Sequence, residues 1–267
     1  MSDAATDADA APLIRLQQVD KQFDGGVHAL AGMSVSVAAG EFVALLGPSG
    51  CGKSTVLRLA AGLDTPSAGL VQAPALQAGR TAATAFVFQE PTLMPWATVF
   101  DNVWLPLRLQ GARRDAAAAQ VRAALAGVGL ADFERAYPAQ LSGGMKMRAS
   151  IARALVTRPA VLLMDEPFAA LDDITRHKLN ADLLAVWQQQ RLAALFVTHS
   201  VAEAVFLSQR VLVMATRPGR VVAEVAVTEP YPRSAGFRHT PAFAAACRAL
   251  SGALESAAAI DAAAAQA

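Results

Sequence analysis

The chain has 267 residues, of which 54% are hydrophobic and 6% aromatic, and its net charge is +1. That length allows one large domain or two small ones, and the alanine-rich apolar content suits an α/β protein. The near-zero charge gives no case for binding nucleic acid through bulk charge, so no nucleic-acid partner is expected.

Residues 1–11 are small and acidic, lack the basic start and apolar core of a signal peptide, and read as disordered. No run reaches the roughly 18 consecutive apolar residues of a membrane-spanning helix. The two cysteines, Cys51 and Cys247, imply no disulfide framework. A soluble, intracellular protein is expected, one able to work at a membrane through a partner.

Residues 13–19 alternate apolar and polar, as a half-buried strand does. Phe23 and the turn Asp24-Gly25-Gly26 follow, then a second alternating stretch over 27–38. Together they predict an antiparallel sheet. Residues 41–46, EFVALL, predict a buried strand, and a helix is predicted after residue 55. Between them stands GPSGCGKST, which fits the phosphate-loop pattern of glycine, four residues, glycine, lysine, then serine or threonine. Gly47, Gly50 and Gly52 allow the tight turn, and Pro48, Ser49, Cys51 and Thr55 complete the loop. Lys53 offers a cation to the terminal phosphates and Ser54 a hydroxyl to Mg²⁺. The helix N-terminus adds about half a positive charge facing the anion.

Residues 65–79 are rich in Pro, Gly and Ala and predict turns with short edge strands, and 84–88 predict a short strand ending near Gln89. The double-proline segment after it is irregular. From 98 the pattern is helical, over 98–109, 115–127, 131–137 and 142–156, as an inserted helical subdomain. In the last of these, Met147, Ile151 and Leu155 recur every four residues as one apolar stripe. Ser142, Gly143 and Gly144 open that helix as a second phosphate cradle, this one without a lysine. Strands are then predicted at 161–164, 195–197, 211–214 and 221–227, with helices at 172–190 and 201–207. Strands alternating with helices predict a mainly parallel, sandwiched sheet. A helix over 241–255 and an Ala-rich tail close the chain.

Asp165 and Glu166 end an apolar strand. Adjacent carboxylates there need a cation, and a phosphate-loop protein supplies Mg²⁺. Asp165 is expected to hold the ion, and Glu166 to orient and polarise the attacking water. His199 and Gln89 end other strands at the same predicted sheet edge, where ligands of such sheets bind. His199 can hydrogen-bond the terminal phosphate. Gln89 can contact Mg²⁺ or the water.

Over residues 12–225 the chain resembles the ATP-binding subunit of an ABC transporter. GPSGCGKST matches its Walker A motif, VLLMDEP at 161–167 its Walker B motif, and LSGGM at 141–145 its signature. Gln89 stands at the Q-loop, Leu171-Asp172 at the D-loop and His199 at the switch histidine. The resemblance implies a P-loop NTPase fold with an N-terminal antiparallel β region and an inserted helical subdomain, over residues 12–230, followed by a C-terminal extension over 231–267. It implies that Glu166 is the catalytic glutamate, that Phe23 stacks on adenine, and that ATP and Mg²⁺ bind. It further implies a head-to-tail dimer in which each ATP lies between one copy's Walker A loop and the other's signature. Met145 departs from the glutamine common at its position, and Ala169 and Ala170 from the usual serine before the D-loop.

FQEPTLMPWATVFDNV at 88–103 and GGMKMRASIARAL at 143–155 resemble the nitrate, sulfonate and taurine branch of bacterial importers. This implies membrane permease partners, a periplasmic solute-binding protein and a place on the cytoplasmic face of the inner membrane. Leu93 and Trp96, apolar residues in a Pro-containing loop, read either as local packing or as a partner-facing patch. A soluble ABC-type ATPase acting on ribosomes or DNA usually has two cassettes or long coiled-coil arms, an exporter subunit fits 88–103 less well, and a small-molecule kinase leaves LSGGM unexplained. Cys51, near a helix N-terminus, is expected to have a lowered thiol pKa and to be alkylated unless ATP protects it.

Overall fold

The computed structural model describes residues 11–77, 83–169, 171–216 and 218–264. The disorder expected at 1–10, the end of the 65–79 turn region, Ala170 and the last three residues lie outside the described residues.

Two sheets form the frame. β1 (Ile14–Gln22), β2 (His28–Val37) and β4 (Ala68–Gln72) make an antiparallel sheet in the order β2-β1-β4. β3 (Phe42–Leu46), β5 (Thr84–Val87), β6 (Val161–Asp165), β7 (Ala193–Thr198), β8 (Arg210–Ala215) and β9 (Arg220–Ala226) make the second, in the order β5-β6-β7-β3-β8-β9. Every pair in it is parallel except β8–β9, which closes one edge as an antiparallel hairpin.

The central strands are apolar on both faces, as a covered parallel sheet requires. Along β3, Phe42, Ala44 and Leu46 face one core, while Val43 and Leu45 face the other. The first core lies under α2 (Val99–Leu109), α3 (Arg114–Gly127), α4 (Gly143–Leu155), α5 (Asp173–Gln190), α6 (Val201–Leu207) and α7 (Pro241–Ala264). Phe42 anchors it, edge-on to Trp187 at 5.6 Å and to Phe196 at 6.0 Å. The second lies between the sheet, α1 (Lys53–Ala60) and the antiparallel sheet. The stripe Met147, Ile151 and Leu155 is buried, as its period predicts.

Caps set the helix starts. Thr98, Ser142, Asp172 and Ser200 each accept a hydrogen bond from the backbone N–H three residues on. The helix expected over 131–137 does not form. Only Ala131–Phe133 makes a short 3₁₀ turn. The carbonyls of Glu134 and Ala136 instead accept from Phe100 N and Val99 N, at 2.9 and 2.8 Å, and so satisfy free donors at the start of α2.

The last helix runs past the expected 255 to Ala264. Alanine has the highest helix propensity, so an Ala-rich segment docked at one end continues as helix. Leu250 and Ala257 are buried against the core. Residues 241–262 are long and apolar enough to cross a membrane, with a mean hydropathy of 1.2. Alanine supplies much of that value, and the helix also carries Arg248, Glu255 and Asp261.

Candidate functional site: a phosphate loop at the strand ends

Strand register brings the predicted residues to one edge. Leu46 pairs with Thr198, Asp165 with Val197, and Val87 with Met164. The phosphate loop, Glu166, His199 and Gln89 therefore all begin within two residues of where the ladder stops. A cleft of about 580 Å³ opens there. It is lined by Phe23, Ser49, Gly50, Gly52, Lys53, Ser54, Thr55, Gln89 and Glu166, together with Val27, His28 and Ala29.

The loop is held in shape by its own contacts. Gly52, which precedes α1, has φ +90°, and a Cβ on it would lie 2.7 Å from Leu30 Cδ2 and 2.9 Å from Ala29 O. Only glycine fits that approach. Lys53 is 5% exposed, and its Nζ donates to Gly47 O at 2.8 Å and Pro48 O at 2.9 Å. The same Nζ lies 3.9 Å from Glu166 Oε1. The cleft floor thus presents one buried cation beside one carboxylate.

Ser54 Oγ donates to Asp165 Oδ1 at 3.0 Å. Burial pushes the Asp165 carboxyl above its ordinary value of 3.8. The Ser54 hydrogen bond opposes the shift and the adjacent Glu166 charge adds to it. Glu166 has φ +44°, an uncommon conformation for a side-chain-bearing residue. That turn carries it out of line with β6 and toward His199, whose Nδ1 lies 3.1 Å from Glu166 Oε2.

A buried network underlies this pair. Thr198 Oγ1 donates to Glu203 Oε2 at 2.6 Å and accepts from Ser200 N at 3.0 Å. Arg176 Nε lies 3.4 Å from Glu203 Oε1, and its guanidinium donates to Phe168 O and Leu171 O at 3.3 and 2.6 Å. Arg176 therefore ties the segment after Glu166 to the segment carrying His199. On the other side, Arg153 of α4 donates to Thr92 O at 2.8 Å and Pro91 O at 3.1 Å, just beyond Gln89. Neither arginine was singled out from sequence, where each is one basic residue on a helix. Val27, His28 and Ala29 were also missed. The available signal was the Asp24-Gly25-Gly26 turn, which aims both hairpin ends at the cleft.

Two expectations need correction or refinement. Cys51 is 1% exposed, and burial pushes its thiol pKa up, with the Lys53 charge only partly opposing. Tertiary packing outweighs the helix N-terminus at this position. Leu93 packs against the core while Trp96 is 77% exposed, so only the tryptophan is presented outward. Ser142, Gly143 and Gly144, expected to serve a second copy's site, do not line this copy's cleft. Ser142 and Gly143 are exposed, and Gly144 lies beside Leu171 and Thr175.

Residues 30–169 match the ABC transporter family. The chain is 45% identical over 207 residues to a nitrate import ATP-binding protein from Synechocystis, covering 77% of this chain and 78% of the relative. It is 46% identical over 225 residues to an aliphatic sulfonates import ATP-binding protein from Granulibacter bethesdensis, covering 84% and 88%. The dimeric structure of a bacterial ABC transporter cassette, MJ0796, superposes with a TM-score of 0.73 at 31% identity, over 81% of this chain and all of that one. The chain belongs to the ABC transporter family, as an ATP-binding subunit that hydrolyses ATP.

Proposed function

We propose that this protein powers a bacterial importer for nitrate, a sulfonate, taurine or a related small solute, from the cytoplasmic face of the inner membrane. The 45–46% identity to nitrate and sulfonate import subunits carries the reading of import. The strand-end geometry supports the chemistry.

In this reading Phe23 stacks on adenine. The backbone of Gly47, Pro48, Ser49, Gly50, Cys51, Gly52 and Thr55 wraps the phosphates, and Lys53 supplies the cation. Mg²⁺ fits the donor set of Ser54, Asp165 and Gln89, all of them hard oxygens. Among the described residues no cluster of three or more His, Cys, Asp or Glu forms a protein cage. Such a sparse set suits an ion that takes its remaining ligands from phosphates and water. When bound, Mg²⁺ neutralises charge on the β- and γ-phosphates. Glu166 accepts a proton from the attacking water, whose oxygen bonds to the γ-phosphorus as the bond to ADP breaks. His199 orients Glu166 and meets the γ-phosphate.

Ser142, Gly143 and Gly144 serve the other active site of a head-to-tail dimer. They bind the γ-phosphate better than any group left after hydrolysis, which is the differential affinity a switch needs. Closing and opening of that dimer drives the permease, with a periplasmic solute-binding protein on the far side. The permease docks over the surface that includes Trp96 and the groove lined by Phe86, Phe88, Leu105, Pro106 and Leu109. Leu109 is 80% exposed.

Affinity purification of the tagged chain from detergent-solubilised membranes tests the assignment. A co-purifying integral-membrane permease is expected. Ribosomes or DNA in its place would overturn it. Proteoliposomes containing that permease, supplied in turn with nitrate, an alkanesulfonate and taurine, then identify the solute by stimulated ATP turnover.

A further inference from the structure

The end of β8 and the turn that joins it to β9 hold none of the predicted site residues, yet they back the phosphate loop at two points. A Cβ on Gly47 would lie 2.8 Å from Met214 O, and one on Gly219 would lie 2.1 Å from Cys51 O. Gly219 therefore sits directly behind the loop, where no side chain fits. It is also bonded to the strand that walls the cleft. Its N–H donates to Ala29 O and its carbonyl accepts from Ala31 N, both at 3.0 Å. Ala29 lines the cleft beside Gly52.

Thr216 lies between these contact points. Its backbone N–H and its hydroxyl both donate to Asp261 Oδ2, at 2.7 and 2.6 Å. Asp261 belongs to the last turns of α7, and its side chain is 17% exposed. Arg220 closes the cluster. It donates to Thr216 O at 3.3 Å and Pro218 O at 3.1 Å, and its other terminal nitrogen lies 3.9 Å from Asp261 Oδ1. Hydrogen bonds to an ionised carboxylate are roughly twice as strong as neutral ones. The far end of the C-terminal helix is thereby fixed to the turn that backs the phosphate loop.

We propose that Asp261 is a positioning residue for ATP: through Thr216 it holds the end of β8 and the turn after it against Gly47 and Cys51, and so sets the affinity of the loop for nucleotide. A loop whose back wall is loosened spends less time with its N–H groups converging on one point. Apparent affinity falls in proportion to the competent fraction. The inference rests on the nucleotide site alone and is independent of the solute and of the direction of transport.

The test compares Asp261→Ala with Leu250→Ala in the full chain, well below the unfolding temperature. The probes are Mg-ATP and a fluorescent ATP analogue. Leu250 is fully buried on the same helix, and its side chain has no hydrogen-bonding group to hold Thr216 or the loop. Asp261→Ala is expected to weaken nucleotide binding about fivefold, with kcat at saturating ATP unchanged. Asp261→Asn keeps an acceptor oxygen without the charge and is expected to fall between Asp261→Ala and the parent. Leu250→Ala is expected to lower Tm at least as far as Asp261→Ala does, with nucleotide affinity unchanged. Unaltered affinity in Asp261→Ala, or equal weakening in Leu250→Ala, would overturn the proposal. Should Asp261→Ala not fold, Asp261→Asn and Thr216→Val carry the same comparison. Lys53→Ala is run alongside and is expected to lose binding. If it binds normally, the nucleotide-site assignment fails, and the role of Asp261 fails with it.

Discussion

Two helix N-termini in this molecule are approached by glycine, and their surroundings differ. At α1 the loop is enclosed. Cys51 and Lys53 are buried, Gly52 presses on Ala29 and Leu30, and the β8–β9 turn lies behind. At α4 the start is open. The Ser142 hydroxyl accepts from Met145 N at 3.3 Å, and a Cβ on Gly143 would meet nothing within 4 Å. Both offer free N–H groups and a positive dipole end. Only the first is enclosed on several sides, with a buried lysine and carboxylates beside it. A helix N-terminus becomes a complete site through what encloses it. In the proposed function the second N-terminus is half a site whose remaining walls belong to another molecule.

The largest expected effect tests the enclosed site. Glu166→Gln removes the base while keeping its shape. It is expected to lower kcat by about 10²–10⁴-fold, with ATP still bound and an ATP-dependent dimer accumulating in size-exclusion chromatography. Turnover near that of the parent would remove Glu166 from the role of base. The next effect tests the open site. Ser142→Arg places a bulky cation on an exposed helix start, so the fold should survive. Turnover is expected to drop about 10²-fold, while ATP binding by the isolated monomer stays unchanged. Lost binding in the monomer would show that α4 belongs to the same site as α1, and the half-site reading would end.

This contrast also marks what was legible in sequence. The phosphate loop, the carboxylate pair at Asp165 and Glu166, and His199 could be read because each follows a short apolar strand, and parallel strands end on one edge. The helix over 131–137 was misread because periodicity does not reveal that Glu134 O and Ala136 O are taken up by the start of α2. Cys51 was misread because the rule for helix N-termini is local, whereas its burial in the second core is tertiary. The Asp261–Thr216 contact spans 45 residues with no shared pattern. The alanine run that carries Asp261 reads as a tail until packing orders it.

A pH effect separates the cation-hungry side of the comparison from the rest. The Asp165 carboxyl is raised in the fold, mainly by burial. An acid with a raised folded pKa favours folding while protonated, and that contribution is lost as pH rises through its folded pKa. In Mg²⁺-free buffer at neutral pH Asp165 is therefore a net cost to stability. Asp165→Asn is expected to raise Tm there, with the gain shrinking as pH falls toward the ordinary value of 3.8. Calorimetry across pH checks this. A gain that persists undiminished at low pH would mean that charge burial is not its source.

The smallest effect concerns the loop wall itself. Both cysteines are free, and burial raises both thiols, but Cys51 is 1% exposed whereas Cys247 is half-buried on α7. Thiolate fraction and access both govern alkylation. In the native protein iodoacetamide is expected to label Cys247 before Cys51, with Cys51 reacting only as the loop opens, and Mg-ATP is expected to slow Cys51 without slowing Cys247. Mass spectrometry of a labelling time course resolves the two sites. If Cys51 reacted first, the loop would spend much of its time open. The enclosure that distinguishes α1 from α4 would then be a property of the nucleotide-bound protein and not of the fold alone.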